Sequence, residues 1–269
     1  MQKQLEGKIA IVTGGTQGLG AATADLFAER GIAGLVICGR STAKGEAEAA
    51  KLAARGVKTR FVTADLGKVE DCRAVVAEAD KAFGRVDILV NVAALTNRGT
   101  IIDTSPELFD MLFAVNVRGP FFLMQETVKL MRREKTEGAI VNISSMSSMG
   151  GQPFLSAYSA TKGALDTLTR NTAFALLRNR IRVNSLNIGW MASDGEDRIQ
   201  REEDGKPADW LEKAAAAQPF GRLVDPREVA RAIAFLASAE SGLMTGSIVN
   251  FDQATWGAYD ETPHPKAPL

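Results

Sequence analysis

The stretch Lys8-Ile-Ala-Ile-Val-Thr13-Gly14-Gly15-Thr16-Gln17-Gly18-Leu19-Gly20 decides the fold. It opens as a β-rich apolar run and ends in glycines. Beyond it Leu19, Ala22, Thr23, Leu26 and Phe27 recur at the i, i+3, i+4, i+7 and i+8 spacing of a buried helix face. A strand, a glycine turn and a helix therefore follow one another. Glycine lets the backbone turn tightly and approach a pyrophosphate, whose charge then meets the free N–H groups of the helix N-terminus. The same glycines also suit a purely structural turn, and their place at the head of an alternating series favours the nucleotide.

That series continues outward. Strands are expected at Leu35 to Cys38, Thr59 to Ala64, Val86 to Val92, Ala139 to Ile143, Ile181 to Leu186 and Ser247 to Phe251. Helices fall between them, at about 41–55, 69–83 and 157–178, with another opened by Asp225-Pro226. Gly31, Gly56 and Gly84 follow the first helices as stop signals. Ser105-Pro106-Glu107 supplies a capping hydroxyl, a first-turn proline and an acid at the positive helix end. The helix it starts reaches about Glu134, with a bend expected near Asn116 to Pro120. Strands joined by helical segments imply right-handed crossovers and a parallel sheet covered on both faces. The expected architecture is an α/β, Rossmann-type, doubly wound single domain of seven strands over residues 1–252. Residues 191–220 form an inserted loop with short helices, the usual place for a lid, and 253–269 form a C-terminal extension.

Composition narrows the function. Of 269 residues, 32 are Lys or Arg and 32 are Asp or Glu, so the net charge of zero gives no global attraction for nucleic acid or an anionic membrane. Cys38 and Cys72 are the only cysteines and His264 is the only histidine, too few for a zinc site or a Ser-His-Asp triad. No metal is expected. No apolar run approaches the roughly 18 residues of a membrane span, and two cysteines make no disulfide framework. A soluble cytoplasmic protein is expected.

Two groups point to chemistry. After the second strand come Cys38-Gly39-Arg40-Ser41. An acid there would bind ribose hydroxyls and repel a 2′-phosphate, whereas Arg40 offers that phosphate a planar fork and Ser41 a hydroxyl. NADP(H) is the expected cofactor, with NAD(H) as the alternative if Arg40 merely stacks beside adenine. The second group is Tyr158-Ser-Ala-Thr-Lys162, whose i, i+4 spacing puts a phenol and an ammonium on one helix face. A fixed cation beside a phenol favours phenolate, which a tyrosine with a pKa of about 10 otherwise lacks at neutral pH. Upstream, Ser144-Ser145 ends a strand at the side of the sheet where ligands bind. One serine suits catalysis and the other a turn or cap.

Together these motifs resemble the short-chain dehydrogenase/reductase family over about residues 6 to 252. They are Thr13-Gly14-x3-Gly18-x-Gly20, Asp65, Asn91, Asn116 in Asn-Val-Arg-Gly, Ser145 and Tyr158-x3-Lys162. The resemblance implies that Tyr158 exchanges a proton with the substrate oxygen and that Ser145 hydrogen-bonds the same oxygen. Lys162 would lower the phenol pKa and hold the nicotinamide ribose, and Asn116 would support a water relay. Asp65 would contact adenine and Asn91 would line the ribose. The implied cofactor contacts are Gly14, Thr16, Gln17, Gly18, Leu19, Gly20, Arg40, Ser41, Asp65, Leu66, Asn91, Tyr158, Lys162 and Gly189. Family members are commonly tetramers, so a homotetramer is implied.

Three positions depart from the family pattern. Asn91-Val92-Ala93-Ala94 puts a methyl where a glycine is common, Ile188-Gly189-Trp190 replaces a Pro-Gly, and Gln17 stands where many NADP enzymes carry a second basic residue. The threonine that often touches the carboxamide is represented at best by Ser193. By position, the substrate pocket is walled by Leu95, Ser147, Phe154, Trp190, Met191 and the 191–220 loop. Aromatic faces with a polar rim suit a sugar or polyol, and equally a hydrophobic ketone. Asp194, Glu196, Asp197 and Asp204 offer hydroxyl acceptors, although loop acids are more often solvated. The expected function is interconversion of a secondary alcohol and a ketone on a sugar or polyol. Two rivals are reduction of 3-oxoacyl groups on acyl carrier protein, docked on Arg132, Arg133, Arg170 and Arg178, and a nicotinamide sensor without turnover. Trp256 to Tyr259 are expected at a subunit interface.

Overall fold

The computed structural model describes residues 3–150 and 152–255, so Trp256 to Tyr259 lie outside the described residues. Seven strands, β1 (Ile9–Thr13), β2 (Gly34–Gly39), β3 (Lys58–Thr63), β4 (Ile88–Asn91), β5 (Ala139–Ser145), β6 (Arg182–Ile188) and β7 (Ile248–Phe251), form one sheet in the order β3-β2-β1-β4-β5-β6-β7. Every neighbouring pair is parallel. The central strands are apolar on both faces because both are covered: every residue of β1 and β5 is buried.

Alternation along the strands sorts their side chains into two cores. Ala10, Val12, Leu35 and Ile37 join Phe27 of α1 (Gly18–Glu29) and Val229 and Ile233 of α9 (Pro226–Ala237) on one face. Ile11, Val36 and Cys38 join Val75 of α3 (Val69–Phe83), Leu123 of α5 (Gly119–Arg133) and Ala173 of α6 (Ser156–Leu176) on the other. The remaining helices are α2 (Thr42–Ala54), α4 (Pro106–Phe113), α7 (Asp194–Arg198) and α8 (Trp210–Ala216).

The bend expected near Asn116 is a single π-helical turn, Ala114–Arg118, between α4 and α5. Such bulges commonly re-aim a side chain at a functional site. Gly84 ends α3 in the left-handed conformation at φ 70°, as its stop signal implies.

Several strand ends differ from expectation by one or two residues. β4 begins at Ile88, just after buried Asp87, whose carboxylate accepts a hydrogen bond from the Ile9 N–H at 2.9 Å while its backbone donates to Ile9 and accepts from Ala139. β5 runs on to Ser145, which pairs with Ile188. Between β6 and α9 the chain forms α7, a π turn at Ile199–Glu203 and α8. A bridge between Met191 and Val224 closes the base of this segment. Among the described residues no helix is long and apolar enough to cross a membrane.

Candidate active site

The strand order places β1 beside β4 while β2 and β3 lie on the other side, so the crevice opens at the carboxyl ends of β1 and β4, where such sheets bind ligands. Thr13, the last residue of β1, locks this junction. Its hydroxyl oxygen accepts from the N–H groups of Val92 and Ala93 at 2.9 and 3.1 Å. The glycine turn fits against it closely. A Cβ on Gly20 would lie 2.1 Å from the Gly14 carbonyl oxygen, and Gly14 and Gly18 have φ of 65° and 52°. A Cβ on Gly18 would meet only Ser193, at 3.8 Å, so this part of the turn opens towards the crevice. The residues present therefore fit a dinucleotide whose pyrophosphate sits over the start of α1. Leu19 is core, which leaves only its backbone for that role. Thr16 packs against Gly39, where a Cβ would come within 3.0 Å of it.

At the end of β2, Arg40 is exposed and Ser41 caps α2 by accepting from the Lys44 N–H at 3.4 Å. The Lys44 ammonium reaches the Gln17 side-chain oxygen at 3.3 Å. A second cation thus comes from α2 to the position where the glycine turn itself lacks one. Half-buried Asp65 accepts from the Gly67 N–H at 3.0 Å with Oδ1, and Leu66 is buried beneath it. Asn91 is held inside the sheet. Its Nδ2 donates to Asn142 Oδ1 at 2.8 Å and it is 2 % exposed, so its side chain ties β4 to β5, while its buried Oδ1 has no partner among the described residues. Gly189 has a packing reason for its identity: a Cβ there would collide with Asp252 at 1.9 Å.

Three of the expected catalytic residues lie together. Ser145 is fixed in the β5 ladder, and its Oγ lies 3.1 Å from Ser147 Oγ. Tyr158 stands in the first turn of α6, 8 % exposed, next to Ser145. Lys162 follows one turn later, with Nζ 5.6 Å from the Tyr158 ring centroid. Burial pushes the phenol up to about 12, against the lowering effect of the Ser145 hydroxyl; the charge of Glu196 raises it further and that of Arg98 lowers it. Burial is thus the largest influence on the phenol, and the depression expected from Lys162 is not what dominates in the protein chain alone. The Lys162 ammonium instead donates to the Ile143 carbonyl at 2.8 Å, and burial lowers it to about 8 despite the opposing charge of Asp166.

Asn116 is 1 % exposed and clamps Leu95 from both sides, Nδ2 donating to its carbonyl and Oδ1 accepting from its N–H, each at 2.8 Å. Its second amide hydrogen goes to Thr161 Oγ1 at 3.2 Å. Both amide hydrogens are thus used by protein groups, which fixes the side chain between Leu95 and Thr161. Ser144 donates to the Lys162 carbonyl and is structural.

Of the expected pocket residues, Phe154 and Trp190 are substantially exposed, and half-buried Leu95 is held by Asn116. Ser147 is buried and bonded to Gln152, holding Ser145 from behind. Met191 packs against the core through its side chain. Sequence reasoning did not single out Arg98, which reaches Asp204 Oδ2 at 3.1 Å and Glu196 Oε1 at 3.5 Å. Ser193 caps α7.

The comparisons agree with this arrangement. A family model described as enoyl-(acyl carrier protein) reductase matches residues 14–253. An uncharacterized oxidoreductase of Thermotoga maritima is 38% identical over 248 residues, 92% of this chain and 96% of that protein. Galactitol 2-dehydrogenase of Agrobacterium fabrum is 30% identical over 94% of this chain and 99% of its own. A solved short chain dehydrogenase/reductase family protein superposes with a TM-score of 0.79 at 36% identity, covering 93% of this chain and 97% of that one. With the sheet order, the glycine turn and the Ser145, Tyr158 and Lys162 cluster, these matches show that the chain belongs to the short-chain dehydrogenase/reductase family, as an NAD(P)-linked oxidoreductase acting on CH–OH groups.

Proposed function

We propose that this enzyme interconverts a secondary alcohol and a ketone on a sugar or polyol, with NADP(H) preferred over NAD(H). The observation that carries the chemistry is the convergence of Ser145 and Tyr158 beside buried Lys162 at the mouth of the sheet. The bound nicotinamide supplies or accepts the hydride. Ser145 donates to the reacting oxygen, Tyr158 exchanges a proton with it, and Lys162 holds its positive charge one helical turn away. In alcohol oxidation the phenol must first give up its proton, and burial opposes that step.

The NADP(H) preference rests on Arg40 and Lys44, with no carboxylate in Cys38-Gly39-Arg40-Ser41 to repel a 2′-phosphate. The polyol reading rests on the polar aromatic wall of Trp190, Glu196 and Arg98, and the galactitol enzyme is a relative at 30% identity. We read residues 191–220 as the lid and the exposed Phe109, Phe121 and Phe174 as faces of a homotetramer; both cysteines are buried and free, which suits a reducing cytoplasm. Acyl carrier protein docking gains little from Arg133, which is already paired with Asp80 and Glu134. A non-catalytic sensor has no use for the complete set of reacting groups.

The test is the initial rate of nicotinamide reduction across sugars, polyols and lipophilic alcohols, with NADP and NAD in parallel. Faster turnover of polyols with NADP is expected. Turnover confined to lipophilic alcohols removes the polyol reading, and an NAD preference removes the assigned role of Arg40.

A further inference from the structure

The wall facing Tyr158 contains an ordered carboxylate that the chemistry above does not use. Glu196 stands in α7, and three donors converge on a single one of its oxygens, Oε1: Trp190 Nε1 at 2.8 Å, Gln200 Nε2 at 2.8 Å and Arg98 Nη2 at 3.5 Å. Among the described residues no hydrogen bond reaches Oε2. The side chain is only 16% exposed, so it is held in place and is no solvated loop acid.

The donors anchor Glu196 to the reacting groups. Trp190 directly follows β6 and Gly189. Arg98 precedes Gly99, whose N–H donates to Phe154 O at 2.9 Å and whose carbonyl accepts from the Ser156 N–H at 3.0 Å, at the very start of the helix that carries Tyr158. The Arg98 guanidinium also lies 6.0 Å from the Phe154 ring centroid. Consistent with this placement, the charges of Glu196 and Arg98 both act on the Tyr158 phenol. The charge balance of the wall is informative too. Arg98 is shared between Glu196 and Asp204, so two carboxylates face one guanidinium and an excess negative charge remains.

We propose that Glu196 Oε2 accepts a hydrogen bond from a second hydroxyl of the substrate, near the carbinol that reacts at Tyr158, and thereby selects neutral polyhydroxylated substrates over anionic and monohydroxylated ones. The inference deepens the polyol reading and rests on it. Arg98, Trp190 and Gln200 are positioning residues that aim the carboxylate. A carboxylate acceptor gives a stronger bond to a hydroxyl than a neutral one does. A carboxylate-bearing or phosphate-bearing substrate instead meets like charge, which disfavours acyl-carrier substrates.

The experiment compares the full-length enzyme with Glu196→Gln on two alcohols of equal chain length, a hexitol and 2-hexanol. The neutral amide keeps an oxygen for the three donors and removes the charge of Oε2. The expected result is a fall in kcat/KM for the hexitol of roughly tenfold or more, carried by KM, with 2-hexanol changed by less than about twofold. Asp197→Ala, which frees Trp210 of α8 from α7 and leaves all three donors to Glu196 in place, is the control, expected to affect both alcohols alike. If Glu196→Gln lowers both alcohols in parallel, as Asp197→Ala does, Glu196 is only a lid latch and the proposal is overturned. An unchanged hexitol KM in a wild-type enzyme that oxidises hexitols overturns the role of Glu196 alone. A wild-type enzyme that oxidises no hexitol overturns the polyol reading itself, and this inference with it.

Discussion

Replacing Lys162 by methionine removes a charge that the fold holds at a cost. Lys162 is 2 % exposed, and burial lowers its pKa from 10.5 to about 8. At about 1.36 kcal/mol per pH unit, holding the ammonium in the folded state costs roughly 3 kcal/mol near neutral pH. The hydrogen bond to the Ile143 carbonyl returns about 1 kcal/mol of that. Lys162→Met is therefore expected to be more stable than wild type by roughly 2 kcal/mol at about pH 7, while losing turnover. The sign of the pH dependence follows from the direction of the shift. Below the folded pKa both states are protonated and the full penalty applies. Between about 8 and 10.5 the folded lysine releases its proton first, so wild-type stability rises with pH. At about pH 9.5 the remaining penalty is roughly 1.4 kcal/mol and the advantage of the variant falls to near zero. Urea denaturation of both proteins at the two pH values reads the difference directly, and contributions from all other titrating groups cancel in it. A variant less stable than wild type at neutral pH, or an advantage that does not shrink with rising pH, refutes the reasoning.

Three further outcomes are expected. Arg40→Glu should raise the dissociation constant of NADPH roughly 10–100-fold, the range for losing a charge-assisted contact, while leaving NADH nearly unchanged; equal weakening of both, read by nucleotide fluorescence, would remove Arg40 from the phosphate site. Tyr158→Phe should lower kcat by about 10²–10⁴-fold without loss of nucleotide affinity, and, since the chain has only two tyrosines, should also delete the phenolate absorbance step expected near 12. Persistence of that step would show that the phenol titrates elsewhere. Phe174→Glu, placing a charge on a side chain that is 79% exposed, should dissociate the assembly in sedimentation velocity; an unchanged sedimentation coefficient would move the interface off α6.

The sheet was legible because its physics is local. Apolar runs separated by amphipathic helices leave a parallel, doubly covered sheet as the consistent arrangement, and the bend near Asn116 was announced by Gly119-Pro120. Side-chain direction was less legible. Asn91 stands at the expected strand end, but the register that sets it opposite Asn142 turns its amide into the sheet, and no local pattern specifies that register. The spacing of Tyr158 and Lys162 does put both on one helix face. It does not say that Nζ points at the Ile143 carbonyl, nor that burial raises the phenol. Arg98 lies in a loop without a motif, and only the fold brings it to Glu196 across 98 positions of sequence.

That division has a functional consequence. The groups proposed to react stand on regular elements, Ser145 in a strand ladder and Tyr158 and Lys162 in a long helix, all buried and each hydrogen-bonded or packed from behind. The groups assigned to substrate choice, Arg98, Trp190 and Glu196, stand on the connections after β4 and β6, and they are held by one another. Rigid elements fix the geometry that proton exchange needs, whereas loops alter without disturbing the core. Substitutions at the connections should therefore redistribute kcat/KM among alcohols with little change in the stability of the sheet. Substitutions at Ser145, Tyr158 or Lys162 should lower turnover of every alcohol together, because what they remove is common to all of them.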